Sequence, residues 1–221
     1  MSSLSEEPII VVLGSLNMDL VAVTSRLPIP GETLISKQFF SSPGGKGGNQ
    51  AVAASRIGGH VRMVGRVGDD SFGHEIKKNL EINGVDVEAV YTDPCHNTGT
   101  SIIILDEFGQ NHIVSSPGAN LACDKQEIQA LQKALEGAHV LLIQLEVPLT
   151  ISLKAAELAH AMRTIVILDP APPQPLPPEI YRYADILTPN QLEAKSLTDI
   201  EVTDVESAFL AAQAINAQGV S

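Results

Sequence analysis

Five consecutive apolar residues, Ile9–Leu13, run up to Gly14 without a polar break, the pattern of a strand buried on both faces. Short apolar runs return at Val61–Val64, Val140–Leu145, Thr164–Leu168 and Ile186–Leu187. Between and after them Asn49–Ile57, Phe72–Ile82, Lys125–Leu135, Leu149–Met162 and Val205–Ala217 read as helices. The last carries Val205, Ala208, Phe209, Ala212 and Ile215 on one face. Strand and helix in alternation predict an α/β fold: a mostly parallel sheet with helices on its faces. Three runs fall outside that rhythm. Thr33–Phe40, with Thr100–Leu105 and Asn111–Ser115 around the turn Asp106-Glu107-Phe108-Gly109, predicts a small separate sheet. Beside a glycine-rich loop such a sheet is placed to act as a lid that excludes water, although a sheet edge without a role accounts for it too.

That loop is Ser42–Gly59, SPGGKGGNQAVAASRIGG, in which Gly44, Gly45, Gly47 and Gly48 surround Lys46 and a helix is expected from Asn49. Glycine admits close backbone approach, and a helix start turns unpaired N–H groups toward a polar or anionic ligand. Gly58 and Gly59 supply the helix stop. The loop is not a Walker A motif, because Gly47 stands where Ser or Thr is needed and Phe40 where the first glycine is needed. No G-x-G-x-x-G follows a strand directly, which argues against a nicotinamide dehydrogenase.

Polar residues gather just past the expected strands: Asn17 and Asp19, Glu146, Asp169 and Asn190. Ligands of open α/β sheets bind outside those carboxyl ends. If Ser15–Asp19 is extended, Asn17 and Asp19 share a face, an amide and a carboxylate suited to a polyhydroxylated ligand. An Asx turn accounts for the same residues, and each acid also suits a helix's first turn. Gly65–Gly73 (GRVGDDSFG) reads as a loop whose Asp69, Asp70 or Ser71 is expected to cap the following helix.

Composition narrows the classes. A net charge of -12 argues against nucleic acid or an anionic membrane as partner. No apolar run approaches a membrane span, and Met1–Pro8 is acidic and Ser-rich, unlike a signal peptide. Cys95 and Cys123 have no metal-ligand spacing, so a cytoplasmic protein with idle thiols is expected.

The segments GSLNMDLV, PGGKGGNQAVAASRIGG, GRVGDDSFG, SSPGAN, LLIQLE and TPNQLE, in this order, resemble the ribokinase-like family of carbohydrate kinases over nearly the whole chain. The resemblance implies one domain over residues 1–221, a three-layer α/β/α core with a β-sheet lid. It implies ATP-dependent phosphorylation of D-ribose at O5, with Asn17, Asp19, Gly45, Lys46, Asn49 and Glu146 holding the sugar. Asn190 and Glu193 fit an N-x-x-E motif tied to the nucleotide phosphates and, through water, to Mg²⁺. A K⁺ site in a full-length protein and a homodimer through the lid strands are implied as well. The family's Gly-Ala-Gly-Asp segment, whose Asp is the catalytic base, does not occur in these 221 residues. The chain is therefore expected to be C-terminally truncated, to contain no catalytic base of its own and to be inactive alone. Fructokinase or nucleoside kinase activity, and a non-catalytic sugar-binding protein, are the alternative expectations.

Overall fold

A computed structural model describes residues 7–220; the reading of Met1–Pro8 as no leader falls largely outside them. In chain order the elements are β1 (Ile9–Leu13), β2 (Asn17–Val23), β3 (Gln38–Gly44), α1 (Lys46–Arg56), β4 (His60–Gly68), α2 (Ser71–Ile82), β5 (Asp86–Asp93) and β6 (Gly99–Leu105). β7 (Asn111–Ser116), a 3₁₀ turn (Gly118–Ala122), α3 (Lys125–Ala134), β8 (Val140–Ile143), α4 (Leu149–Ala161) and β9 (Ile165–Leu168) follow. The chain closes with α5 (Pro178–Tyr183), β10 (Ile186–Leu187), α6 (Gln191–Thr198) and α7 (Val205–Asn216).

Six strands form one sheet in the order β10-β9-β8-β1-β4-β5, every pair parallel. β1 explains the layering, because side chains alternate along a strand. Val11 and Leu13 pack with Leu131 of α3, Leu135 at its C-cap, and Ala155 and Ala159 of α4. Val12 packs on the other side with Ala51 and Ala54 of α1 and Ile76 and Leu80 of α2. The apolar run before Gly14 is thus shared between two cores. No described helix is long and apolar enough to cross a membrane.

A second sheet, β3-β2-β6-β7, stands apart. Its outer strand occupies Gln38–Gly44 rather than the expected Thr33–Phe40. Partner availability sets the shift: β2 ends at Val23, which pairs with Gln38, and the bond from Lys37 N–H to Val23 O at 2.7 Å is the last across the pair. β2 itself is a lid strand, following β1 after only Gly14–Leu16, and pairs in parallel with β6. Two further expectations change. The GRVGDDSFG segment is strand as far as Gly68, held by the edge strand β5, whose alternating exposure leaves a weak apolar signal. α1 begins at Lys46, a turn earlier than Asn49.

Two polar clusters tie β4 and β5 to the approach into β6. Asp70 caps α2 through Gly73 N–H at 2.8 Å, and accepts from Thr98 N–H at 2.8 Å and from the Thr98 hydroxyl at 2.6 Å. Burial would raise its pKa, but the Thr98 and Gly73 donors hold it below the usual carboxylate range. Below it, Arg66 Nε and Nη2 each donate at 2.8 Å to the fully buried Glu127, and Nη1 donates to Asp93 at 3.2 Å. The N–H of Cys95, then the His96 ring and Arg66, hold Asp93 down at about 2. Its stabilising contribution is full above the unfolded value near 3.8 and is lost as pH falls toward 2. Asp93→Asn should remove that part of the acid dependence in urea titrations across pH. Arg66→Ala, which strands two buried carboxylates, should cost about 3–5 kcal/mol by urea denaturation.

Candidate functional site

The junction of sheet and lid is built on backbone contact. Gly45 is the N-cap of α1 at φ +83°, a region costly to any residue with a Cβ. A Cβ there would lie 2.7 Å from Asn17 N and 2.8 Å from Ser15 O. At Gly47 it would lie 2.7 Å from Gly14 C and 2.8 Å from Ser15 N. The glycines therefore let the start of α1 rest on the turn between β1 and β2. Gly48 N–H donates to Ser15 O at 3.0 Å and Asn49 N–H to Gly45 O at 2.9 Å.

Side chains converge on that contact. The Ser15 hydroxyl donates to Glu146 Oε2, which also accepts from Lys46 N–H at 3.3 Å. Asn17 and Asp19 lie on one face of β2, opposite Gly44 and Ser42 of β3 and Gly99 and Ser101 of β6. Burial raises the pKa of Asp19; the Ser101 hydroxyl opposes this and the nearby Glu146 adds to it. Asp169, just past β9, is raised by burial and by Glu193 and Glu146, with Lys46 pulling the other way. Of the expected residues, Asn17, Asp19, Gly45, Lys46 and Glu146 thus meet at one place.

Asn49 stands one turn into α1 with its side chain exposed, bordering a hollow of about 340 Å³ with Gly44, Arg56 and Asn79. Asn190 and Glu193 form the capping box of α6: Asn190 Oδ1 accepts from Glu193 N–H at 2.9 Å. Asn190 N–H and Nδ2 donate to the two carboxylate oxygens of Glu193 at 2.7 and 2.8 Å. Both oxygens being engaged, Glu193 suits a hydrated metal ion better than direct ligation. A hollow of about 960 Å³ lies between β10, α6 and α7; it reaches Asn190 but none of the residues around Gly45.

Sequence reasoning missed two side chains that hold this site. Ser15 continues the period-two series of Asn17 and Asp19 back to the glycine loop, a signal that was available. Asn120, inside the SSPGAN segment, has no periodic signature. Its side chain bonds Leu16 and Asn17 across more than a hundred residues of chain.

Residues 8–221 match the family model described as pfkB family carbohydrate kinase. The chain belongs to that family. It is 38% identical over 215 residues to a mouse ribokinase, covering 97% of this chain and 67% of the relative. It is 42% identical to a Bacillus subtilis ribokinase, covering 85% of this chain and 64% of that one. Among solved structures, Arabidopsis thaliana ribokinase complexed with ribose and ATP superposes with a TM-score of 0.86 at 31% identity, over 97% of this chain and 70% of the other. The chain thus spans about two thirds of the length of these relatives.

Ionised Asp19 costs the ligand-free pfkB fold stability, since its folded pKa lies above 3.8. Asp19→Asn should therefore be the more stable protein at pH 7 by urea denaturation. The gap should shrink as pH falls through the raised pKa and close below 3.8, where both side chains are neutral. Gly45→Ala, strained at φ +83° and against Asn17, should lose about 1–3 kcal/mol in the same assay.

Proposed function

We propose that residues 1–221 form the sugar-holding part of a cytoplasmic ribose kinase, the enzyme that moves a phosphoryl group from ATP to O5 of D-ribose. We propose further that these residues alone bind ribose without phosphorylating it. The observation that carries the reading is the meeting of Asn17 and Asp19 from the lid with Glu146 and Lys46 from the core around Gly45. A donor amide and separated carboxylates suit the several hydroxyls of one small polyol. A site that pairs each hydroxyl rejects analogues lacking one.

Each chain element then has a task. Asp19 and Glu146 accept from sugar hydroxyls, Asn17 donates to one, Asn49 exchanges hydrogen bonds with others, and the Gly44–Gly45 backbone permits close approach. Lys46, facing Asp169, supplies positive charge at the rim where the phosphate chain arrives. Asn190 and Glu193 meet the nucleotide phosphates and hydrated Mg²⁺. ATP supplies the phosphoryl group and Mg²⁺ the charge that offsets it. The family's Gly-Ala-Gly-Asp segment, and with it the base for O5, is absent from these 221 residues, which is why turnover is not expected of them. A K⁺ site belongs to the same reading of a full-length protein.

A homodimer through the lids fits this reading. The cross-strand row Phe40-Val21-Ile103-Ile113 lies on the same lid face as Asp19, and Phe40 and Ile113 are 48% and 55% exposed. Ile113→Asp should turn a dimer into a monomer in light scattering.

The central test is calorimetry with D-ribose. One site per chain is expected, with Asp19→Ala weakening it by about 10- to 100-fold, the worth of a hydrogen bond to a charged group. Incubation with ATP, Mg²⁺ and ribose should give no ribose 5-phosphate by mass spectrometry. Absence of binding would overturn the sugar reading, and clear turnover would overturn the inactivity of these residues alone.

A further inference from the structure

Asn120 sits in the 3₁₀ turn where the chain returns from the lid, and its side chain is almost wholly buried. Its orientation is fixed by backbone groups whose donor and acceptor roles are not in question. Oδ1 accepts from Leu16 N–H at 2.8 Å. Nδ2 must then be the atom facing Pro117 O at 2.9 Å and Leu16 O at 3.2 Å. The same NH₂ group reaches Asn17 Oδ1 at 2.8 Å. Two protons serve three acceptors, and the Leu16 carbonyl is the distant one.

An amide can present either end to a ligand, and isolated geometry rarely decides which. Here the neighbour decides. Turning Asn17 over would set its NH₂ against the NH₂ of Asn120, two donors facing each other in a buried place. We infer that Asn120 is a positioning residue that locks the Asn17 amide with its oxygen inward, so that Asn17 meets the ligand only as a hydrogen-bond donor.

The lock gives the site a polarity. Among the described residues nothing pairs with Asn17 Nδ2, while Asp19, two residues on along the same face, can only accept when ionised. The ligand must offer a lone pair to Asn17 and a proton to Asp19, which neighbouring hydroxyls do together. Asn120 also joins the two crossings between core and lid, the start of β2 at Asn17 and the return from β7 at Pro117. The orientation of the amide and the seating of the lid therefore depend on one side chain. The inference rests on the sugar-binding reading for its ligand, but the lock itself is a property of the ligand-free chain.

Two measurements separate them. In the ligand-free chain, side-chain amide hydrogen exchange by NMR should show the Asn120 NH₂ protected and the Asn17 NH₂ exchanging freely. In Asn120→Asp the new carboxylate accepts, so the Asn17 amide should turn and its NH₂ become protected. A protected Asn17 NH₂ in the unsubstituted ligand-free chain overturns the lock, and that result needs no variant to fold and no sugar to bind. The second measurement is D-ribose calorimetry on a double-mutant cycle. Asn120→Asp should weaken binding by about ten-fold in the natural background and leave it unchanged in the Asn17→Ala background. An equal loss in both backgrounds would mean that Asn120 serves the lid and not the amide, and would overturn the inference. If ribose fails to bind the natural chain, the sugar reading falls while the exchange experiment still decides the lock.

Discussion

Backbone rests on backbone where Gly45 and Gly47 meet Ser15–Asn17, and most of the site follows from that approach. A Cβ at either glycine would come within 2.8 Å of main-chain atoms of the β1–β2 turn, so the contact exists only because both positions lack one. It sets Lys46 N–H beside Glu146 and Gly48 N–H on Ser15 O, coupling the loop to strands far away in sequence. It also lets β2 leave the main sheet three residues after β1 and begin the lid at once. Core and lid are thus one continuous stretch of chain folded over a crease, and the polar side chains lie in the crease.

The crease is electrostatically unfavourable when empty. Asp19 and Asp169 are both held above the ordinary carboxylate range, first by burial and then by neighbouring acids, with Lys46 countering at Asp169. The fold tolerates this because other acids are well partnered. Asp70 and Asp93 are both depressed, by backbone N–H groups together with Thr98 in one case and His96 and Arg66 in the other. Those two acids brace the segment leading into β6, so the rigid, satisfied charges lie at the lid's root and the unsatisfied ones lie in the crease. Strain kept at a site and offset beside it is what preorganised binding requires.

Much of this was legible in the residues. Unbroken apolar runs at Ile9–Leu13, Val140–Ile143 and Ile165–Leu168 announced the parallel sheet, because helices on both faces of it let even the less buried side of each strand stay apolar. β5 escaped because it lies at the sheet's edge, where burial alternates weakly and Asp86, Glu88 and Asp93 dilute the pattern. The lid's outer strand was displaced toward Thr33 because its limits are set by Val23 across the sheet and not by its own composition. The glycine loop could be read since glycine density is itself a signal. Asn120 could not, since its importance lies in a contact with Asn17 that only the closed topology creates.

That last contact changes what the polar residues at the strand ends amount to. An inventory of amides and carboxylates gives the class of ligand, but an amide of unknown orientation cannot say which partner atom is wanted. Anchored through Asn120 to the Leu16 and Pro117 main chain, Asn17 takes its polarity from backbone groups that cannot turn over. In the proposed sugar site, recognition therefore starts one residue behind the residues assigned to the ligand. The same anchor seats the lid on which Asp19 is carried, so the donor and the acceptor are referred to a single point of the scaffold. A small polyol with neighbouring hydroxyls satisfies both at once, whereas a ligand that only accepts or only donates leaves one of them unpaired in a partly buried place, at the cost such groups carry.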